Sequence, residues 1–212
     1  MNRNTCRWTL ALLAVALSWA VAPAQIGGKY QLNAWSEYQA YFSLVGNSYG
    51  FADNDVIAMR EMGILEDELP LLFFIANRAH CHPRDVARYR LGHHSWMDVS
   101  RHYRLGPDAY YLQVDGYNEA AFGGRYSYLG YPRDRWSAVQ FQDADLVYLA
   151  NAHMLSRHYR VSPLDVYRGA LGGKRFYQLE QQYRSGGMNP PPPSGTSQGQ
   201  PPPKKKKYAF QE

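Results

Sequence analysis

PRDVARYRLGHHSWMDVSRHYR (residues 83–104) lies over PLDVYRGALGGKRFYQLEQQYR (residues 163–184) without a gap. Pro83, Asp85, Val86, Arg88, Leu91, Gly92, Tyr103 and Arg104 each meet the same residue eighty places on. Trp96/Phe176 and Val99/Leu179 are conservative exchanges. The shared positions are those that begin, end and bury helices. A proline in the first helical position has no donor to lose and a preset φ. An aspartate two residues later favours the positive helix end. Ser162-Pro163-Leu164-Asp165 has capping-box spacing, and His82 stands where the serine would be in the first stretch. Gly92 and Gly172 suit the left-handed residue that ends a helix. Ser95-Trp96-Met97-Asp98 is a second capping box, opening a helix on which Trp96, Val99 and Tyr103 share one face. Phe176, Leu179 and Tyr183 reproduce that face. Two short helices meeting at a glycine is also the cadence of a DNA-binding helix-turn-helix. That turn wants a small residue four before its glycine, where Arg88 stands.

Each helix pair follows a more apolar stretch. In the first copy it is LPLLFFIANRA (residues 69–79), with Asp67 as its expected cap and Pro70 in its first turn. In the second it is DADLVYLANAHMLSRHYR (residues 143–160). Residues 71–75 are apolar on every side, which marks a central helix. Phe51, Asp53 and Asp55 also resemble Phe141, Asp143 and Asp145, so the first copy is expected to carry an inserted helix over residues 53–62, closed by Gly63. A unit of about 45 residues is marginal alone. The expected fold is therefore mainly α: two copies of a three-helix repeat packed together through their apolar first helices. Repeat 1 spans residues 53–109 and repeat 2 residues 141–185. A Tyr/Gly-rich connector, residues 110–140, is expected as a loop or small hairpin over the bundle. Residues 25–52 form an aromatic, poorly periodic N-terminal segment.

The ends speak to compartment. Arg3 and Arg7 precede an uncharged apolar run, residues 8–20, and Ala22-Pro23-Ala24 offers a cleavage site before Gln25. Residues 1–24 thus read as a signal peptide, too short for a comfortable span of about 20 apolar residues. The expected product is exported, to the periplasm or beyond, with no transmembrane span after cleavage. Cys81 is then its one cysteine, unable to form an internal disulfide. Residues 186–203 are nearly all Pro, Gly, Ser, Thr, Asn and Gln, which predicts a disordered spacer. Lys204, Lys205, Lys206 and Lys207 tip it, beside Tyr208 and Phe210. Of the formal net charge of +5, Arg3 and Arg7 carry +2 and the lysines with Glu212 carry +3. Residues 25–185 are therefore neutral, which removes the global charge argument for nucleic acid.

Pro83, Asp85, Val86, Arg90, Gly92, Ser95, Trp96, Asp98 and Val99 make a P-x-D-V…R-x-G…S-W-x-D-V pattern. It resembles one found in exported bacterial proteins of unknown function. The second copy departs from it, with Lys174-Arg175-Phe176 where Ser-Trp is expected. The resemblance implies a fold and a compartment, and no activity.

Candidate chemistry is sparse. His80-Cys81-His82 and His93-His94 flank one helix, and imidazole with thiolate suits zinc or copper. The helix between them spans roughly 13 Å, which separates the clusters unless the turns fold back. Gly46-Asn47-Ser48-Tyr49-Gly50 matches the G-x-S-x-G of a nucleophile elbow, a motif with meaning only between a strand and a helix. SRHYR occurs twice, at residues 100–104 and 156–160, offering arginines to helix ends or to carboxylate and phosphate groups. Tyr126, Tyr128, Tyr131 and Trp136 are candidates either for packing or for stacking on sugars. The leading expectation is a non-enzymatic envelope protein, binding or scaffolding, with its lysines on an anionic lipid or cell-wall polymer or an envelope protein as partner, and without nucleic acid. The alternatives are a periplasmic zinc or copper protein using His80, Cys81, His82, His93 and His94, and a small envelope hydrolase.

Overall fold

The computed structural model describes residues 28–118 and 124–186. The expectations for the signal peptide and for the lysine-tipped tail lie outside the described residues. Those residues form a mainly helical body with no strand among them. In chain order the helices are α1 (Gly28–Tyr49), α2 (Asp53–Glu61), α3 (Leu69–Ala79), α4 (Pro83–Leu91), α5 (Trp96–His102), α6 (Asp143–Tyr159), α7 (Pro163–Leu171) and α8 (Phe176–Ser185). Short 3-10 turns cover Glu66–Glu68, Pro107–Tyr110, Gly124–Gly130 and Arg133–Ala138.

The apolar stretch behaves as its composition demands. Every residue from position 69 to 76 is buried, and α3 packs against α1, α4 and α6. Burying a leucine or phenylalanine contributes about 1.5–3 kcal/mol each, so α3 is the thermodynamic centre. α7 and α8 close over α6, and α8 also meets α1. Tyr41 and Asn151 join α1 to α6 through one buried hydrogen bond, the phenol donating at 2.5 Å. The Asn151 amide donates in turn to the carbonyls of Asp67 and Val147, both at 2.8 Å.

Four expectations change. The N-terminal segment is helical: Tyr38, Tyr41, Phe42, Val45 and Tyr49 recur at helical spacing and pack inward along α1. Aromatic residues are only moderate helix formers, so burial rather than propensity fixes this helix. Gly46 sits inside it because a Cβ there would meet the Phe51 carbonyl oxygen at 3.0 Å. Asp67 does not cap α3; it belongs to the 3-10 turn that leads into the helix, and Glu68 holds the cap position. Gly92 and Gly172 are not left-handed, with φ of −74° each. The left-handed residue comes one place later, His93 at φ 67° and Gly173 at φ 89°. Finally, the connector is a chain of 3-10 turns with no hairpin among the described residues, pinned by Tyr126, Tyr128, Leu129 and Trp136. The Tyr128 ring meets Trp136 and Phe141 edge-on at 5.7 and 5.1 Å.

Local geometry recurs at the aligned positions. His80 and Arg160 close α3 and α6 in the same left-handed conformation, φ/ψ 54°/38° and 55°/34°. Ser162 accepts from the Leu164 amide at 3.2 Å, and His82 Nδ1 accepts from the Arg84 amide at 3.1 Å. The Asp55 and Asp145 carboxylates accept from the amides of Ala52 and Gln142, at 3.1 and 2.9 Å.

Candidate functional site

The acidic turn Glu66–Glu68 gathers the polar side chains of the body. Glu68 Oε1 accepts from Arg90 Nη2 and from the Trp96 indole nitrogen, each at 2.8 Å. Arg90 also reaches Asp143 at 3.0 Å and the His94 carbonyl at 2.7 Å, with its guanidinium 5.1 Å above the Trp96 ring. Asp143 in turn accepts from the Trp96 amide at 2.7 Å, which caps α5 from another helix. Glu66 holds Arg60 at 2.7 Å. Asp67 holds Arg175 at 2.7 Å across the body. Burial pushes the Asp67 carboxyl above the usual carboxylate range, and Arg175 pulls the other way. One turn therefore touches α2, α4, α5 and the start of α8, and through Arg90 the start of α6.

A groove of about 350 Å³ opens beside this turn. Leu65, Val147, Tyr148 and Phe176 give it apolar walls; Asp67, Glu68, Asp143, Lys174 and Arg175 give it charge of both signs. Leu65 is 56% exposed at its edge, unusual for a large apolar side chain in this body. Glu68, Asp143 and one oxygen of Asp67 are engaged with Arg90, Trp96 and Arg175, while Asp67 Oδ1 is buried without a hydrogen-bond partner among the described residues, so the groove offers shape and mixed charge. Sequence reasoning missed it because Glu66 and Glu68 lie outside the recurring stretches and Asp67 reads as a local helix cap.

The histidines are not brought together. His80 and His93 occupy left-handed helix-ending positions and are exposed. His82 spends Nδ1 on the α4 cap. His94 and His102 both stack on the Tyr89 ring, at 4.0 and 4.1 Å. Burial pushes the Cys81 thiol up to about 11, and Asp85 adds to the shift. Among the described residues no group of three or more His, Cys, Asp or Glu is placed to hold a metal ion. Ser48 is exposed in the last turn of α1, with no strand before it among the described residues. Of the four aromatic candidates, Tyr126, Tyr128 and Trp136 are buried, and Tyr131 alone is exposed. No described helix is long and apolar enough to cross a membrane. Compared with family models, curated proteins and solved structures, the chain matches none.

Proposed function

We propose that this is an exported helical envelope protein with a binding or scaffolding role, its body two copies of one three-helix unit and its tail a cationic tether. The body reading is supported by nine-residue helices α4 and α7 at aligned positions, and by the matched left-handed closures at His80 and Arg160. The first unit carries extra residues that break its leading helix into α2 and α3, where the second keeps α6 whole. The tether reading rests on one observation: Lys204, Lys205, Lys206 and Lys207 adjoin Tyr208 and Phe210 after a Pro-rich spacer, while the body is neutral. Each lysine near an anionic membrane surface contributes about 1 kcal/mol, falling off within a Debye length.

The test is co-sedimentation of the mature chain with anionic vesicles and with purified cell-wall sacculi, across a salt series. Changing the four lysines together (Lys204→Gln, Lys205→Gln, Lys206→Gln and Lys207→Gln) is expected to abolish low-salt binding. Binding that survives both high salt and these changes sinks the tether reading and moves recognition to the body.

A further inference from the structure

Seven arginines of the body sit in ion pairs, Arg90, Arg175 and Arg184 among them. Arg78, Arg133 and Arg157 do not, nor do Arg104, Arg135 and Arg160, among the described residues; of these, Arg78 lines one cleft, Arg133 lies over a ring of its wall, and Arg157 stands one helical turn beyond His153 of its lining. A cleft of about 40 Å³ lies where the later turns of α3 and α6 meet the Pro107–Tyr110 turn. Phe74, Arg78, Tyr110, Tyr111 and His153 line it. Arg157 follows His153 by one helical turn, on the same face of α6. Arg78 lies 5.5 Å over the Phe74 ring, and Arg133 lies 5.4 Å over Tyr111 at the rim. No carboxylate pairs with any of the three among the described residues.

We propose that this cleft binds a phosphate group between the guanidiniums of Arg78 and Arg157, with the His153 imidazole beside them and the Tyr110–Tyr111 edge as a wall. The inference stands apart from the tether, because every group in it belongs to the helical body.

Four observations support it. Two cations placed together without an acid repel, and an anion between them removes that cost. Their combined field is already felt: burial first, then Arg157 and Arg78, hold His153 below the ordinary histidine range. Tyr49 lies next to this region, 7% exposed, its hydroxyl without a hydrogen-bond partner and with Arg157 and Tyr110 as its electrostatic neighbours. The cleft has room for about three or four water-sized groups, since each needs roughly 10–15 Å³ of such space, so it would seat the oxygens on one side of a phosphate and leave the rest at its open mouth. Phosphate is favoured over carboxylate by donor number. One guanidinium saturates the two oxygens of a carboxylate in a single fork, whereas two forks and an imidazole match the three or four oxygens of a phosphate. The remainder of a larger phosphate ester would lie outside, over Tyr111 and Arg133.

The experiment is an NMR titration of the His153 imidazole in the full mature chain, with inorganic phosphate as the probe and acetate as the comparator. His153 faces Arg78 from α3, Arg157 on its own helix, and Tyr110 and Tyr111 from the turn. Saturable phosphate binding is expected to shift its resonances and raise its pKa, because the anion opposes the field of the two arginines. Arg78→Gln and Arg157→Gln should each weaken phosphate about tenfold, the loss of one charge-assisted contact. Acetate should bind at least about tenfold more weakly. The four-lysine tail variant should keep the wild-type response. Both arginines are exposed, so their variants should fold, which far-UV circular dichroism checks. A His153 resonance unmoved by phosphate at tens of millimolar, a shift unchanged in both arginine variants, or a response lost only with the tail lysines would each overturn the site.

Discussion

Replacing Glu68 by alanine tests how much the acidic turn holds the helices together. The side chain is 13% exposed and its Oε1 accepts from both Arg90 and the Trp96 indole nitrogen. Trp96 itself is fully buried, so its N–H would lose a partner it cannot replace from water. Leaving a buried donor unsatisfied costs about 1–3 kcal/mol. Arg90 is 24% exposed and keeps Asp143 and the His94 carbonyl, so its loss is closer to that of a surface pair, about 0–1 kcal/mol. The sum is about 1–4 kcal/mol, a large part of the roughly 5–15 kcal/mol of a typical fold. For a body of this size it corresponds to a fall in Tm of about 2–15 °C.

Urea unfolding followed by far-UV circular dichroism reads this directly, as a lower midpoint at unchanged slope. Glu68→Gln keeps an acceptor for the indole and should lose about half as much. A cycle with Arg90→Ala then isolates the pair, with an expected coupling of about 1 kcal/mol. If Glu68→Ala unfolds within about 0.5 kcal/mol of wild type, the turn is a solvated surface feature. The reasoning that makes it a junction would then fail.

The remaining expectations concern backbone, thiol and histidines. His93 bears a left-handed φ of 67° on an exposed turn, so His93→Gly should stabilise the protein by up to about 1 kcal/mol, whereas Gly173→Ala at φ 89° should cost about 1 kcal/mol although no atom lies within 4 Å of its added Cβ; thermal unfolding of the two variants should move in opposite directions. Cys81, pushed up to about 11, should react with an aromatic disulfide reagent at pH 8 well below the rate of a free thiol, and faster as pH rises toward that value; a free-thiol rate at pH 8 would contradict its half-buried setting. His153 and His158 are both held below the ordinary histidine range by burial. The unfolded chain then binds more protons than the folded one just below pH 6.5, so stability should fall as pH drops through that value and level off below the folded pKa. His153→Gln should flatten part of that slope in urea titrations between pH 7 and 5.

What the sequence disclosed follows from which interactions are local. Caps, proline starts and apolar faces are written in neighbouring residues, so α4, α5, α7 and α8 were legible to within a residue or so. The placement of α1 was not, because Tyr38, Tyr41, Phe42 and Tyr49 are moderate helix formers whose periodicity matters only once α3 and α8 supply a surface to bury them. The left-handed turn was displaced by one residue for a similar reason. Gly92 looks like the natural bearer of positive φ, yet its amide bonds to the Arg88 and Tyr89 carbonyls in a continuing helical turn, and His93 takes the strain. Neither the groove nor the arginine cleft could be read, since Glu68 and Trp96 stand 28 positions apart and Asp67 and Arg175 stand 108 apart.

The two aligned stretches of sequence part most clearly at the start of their last helices. Ser95 and Arg175 are aligned, and each is the cap residue of the helix that follows. Ser95 does the local work, accepting from the Asp98 amide at 3.1 Å. Arg175 does none of it with its side chain; the Gln178 side chain accepts from the Arg175 amide at 2.9 Å instead. Its guanidinium reaches Asp67 at 2.7 Å and lies 3.7 Å from Glu66. Where residue 95 is a serine cap, residue 175 is thus a long side chain that contacts the acidic turn. A cap substitution of this kind costs on the order of 1 kcal/mol, and a half-exposed ion pair returns no more than that. The exchange is near neutral for stability, and its effect is on geometry. It ties the start of α8 to the turn that also holds α4 and α5. The groove lies across this tie, with Asp67 and Arg175 both on its wall, so its shape depends on a contact between residues 108 positions apart.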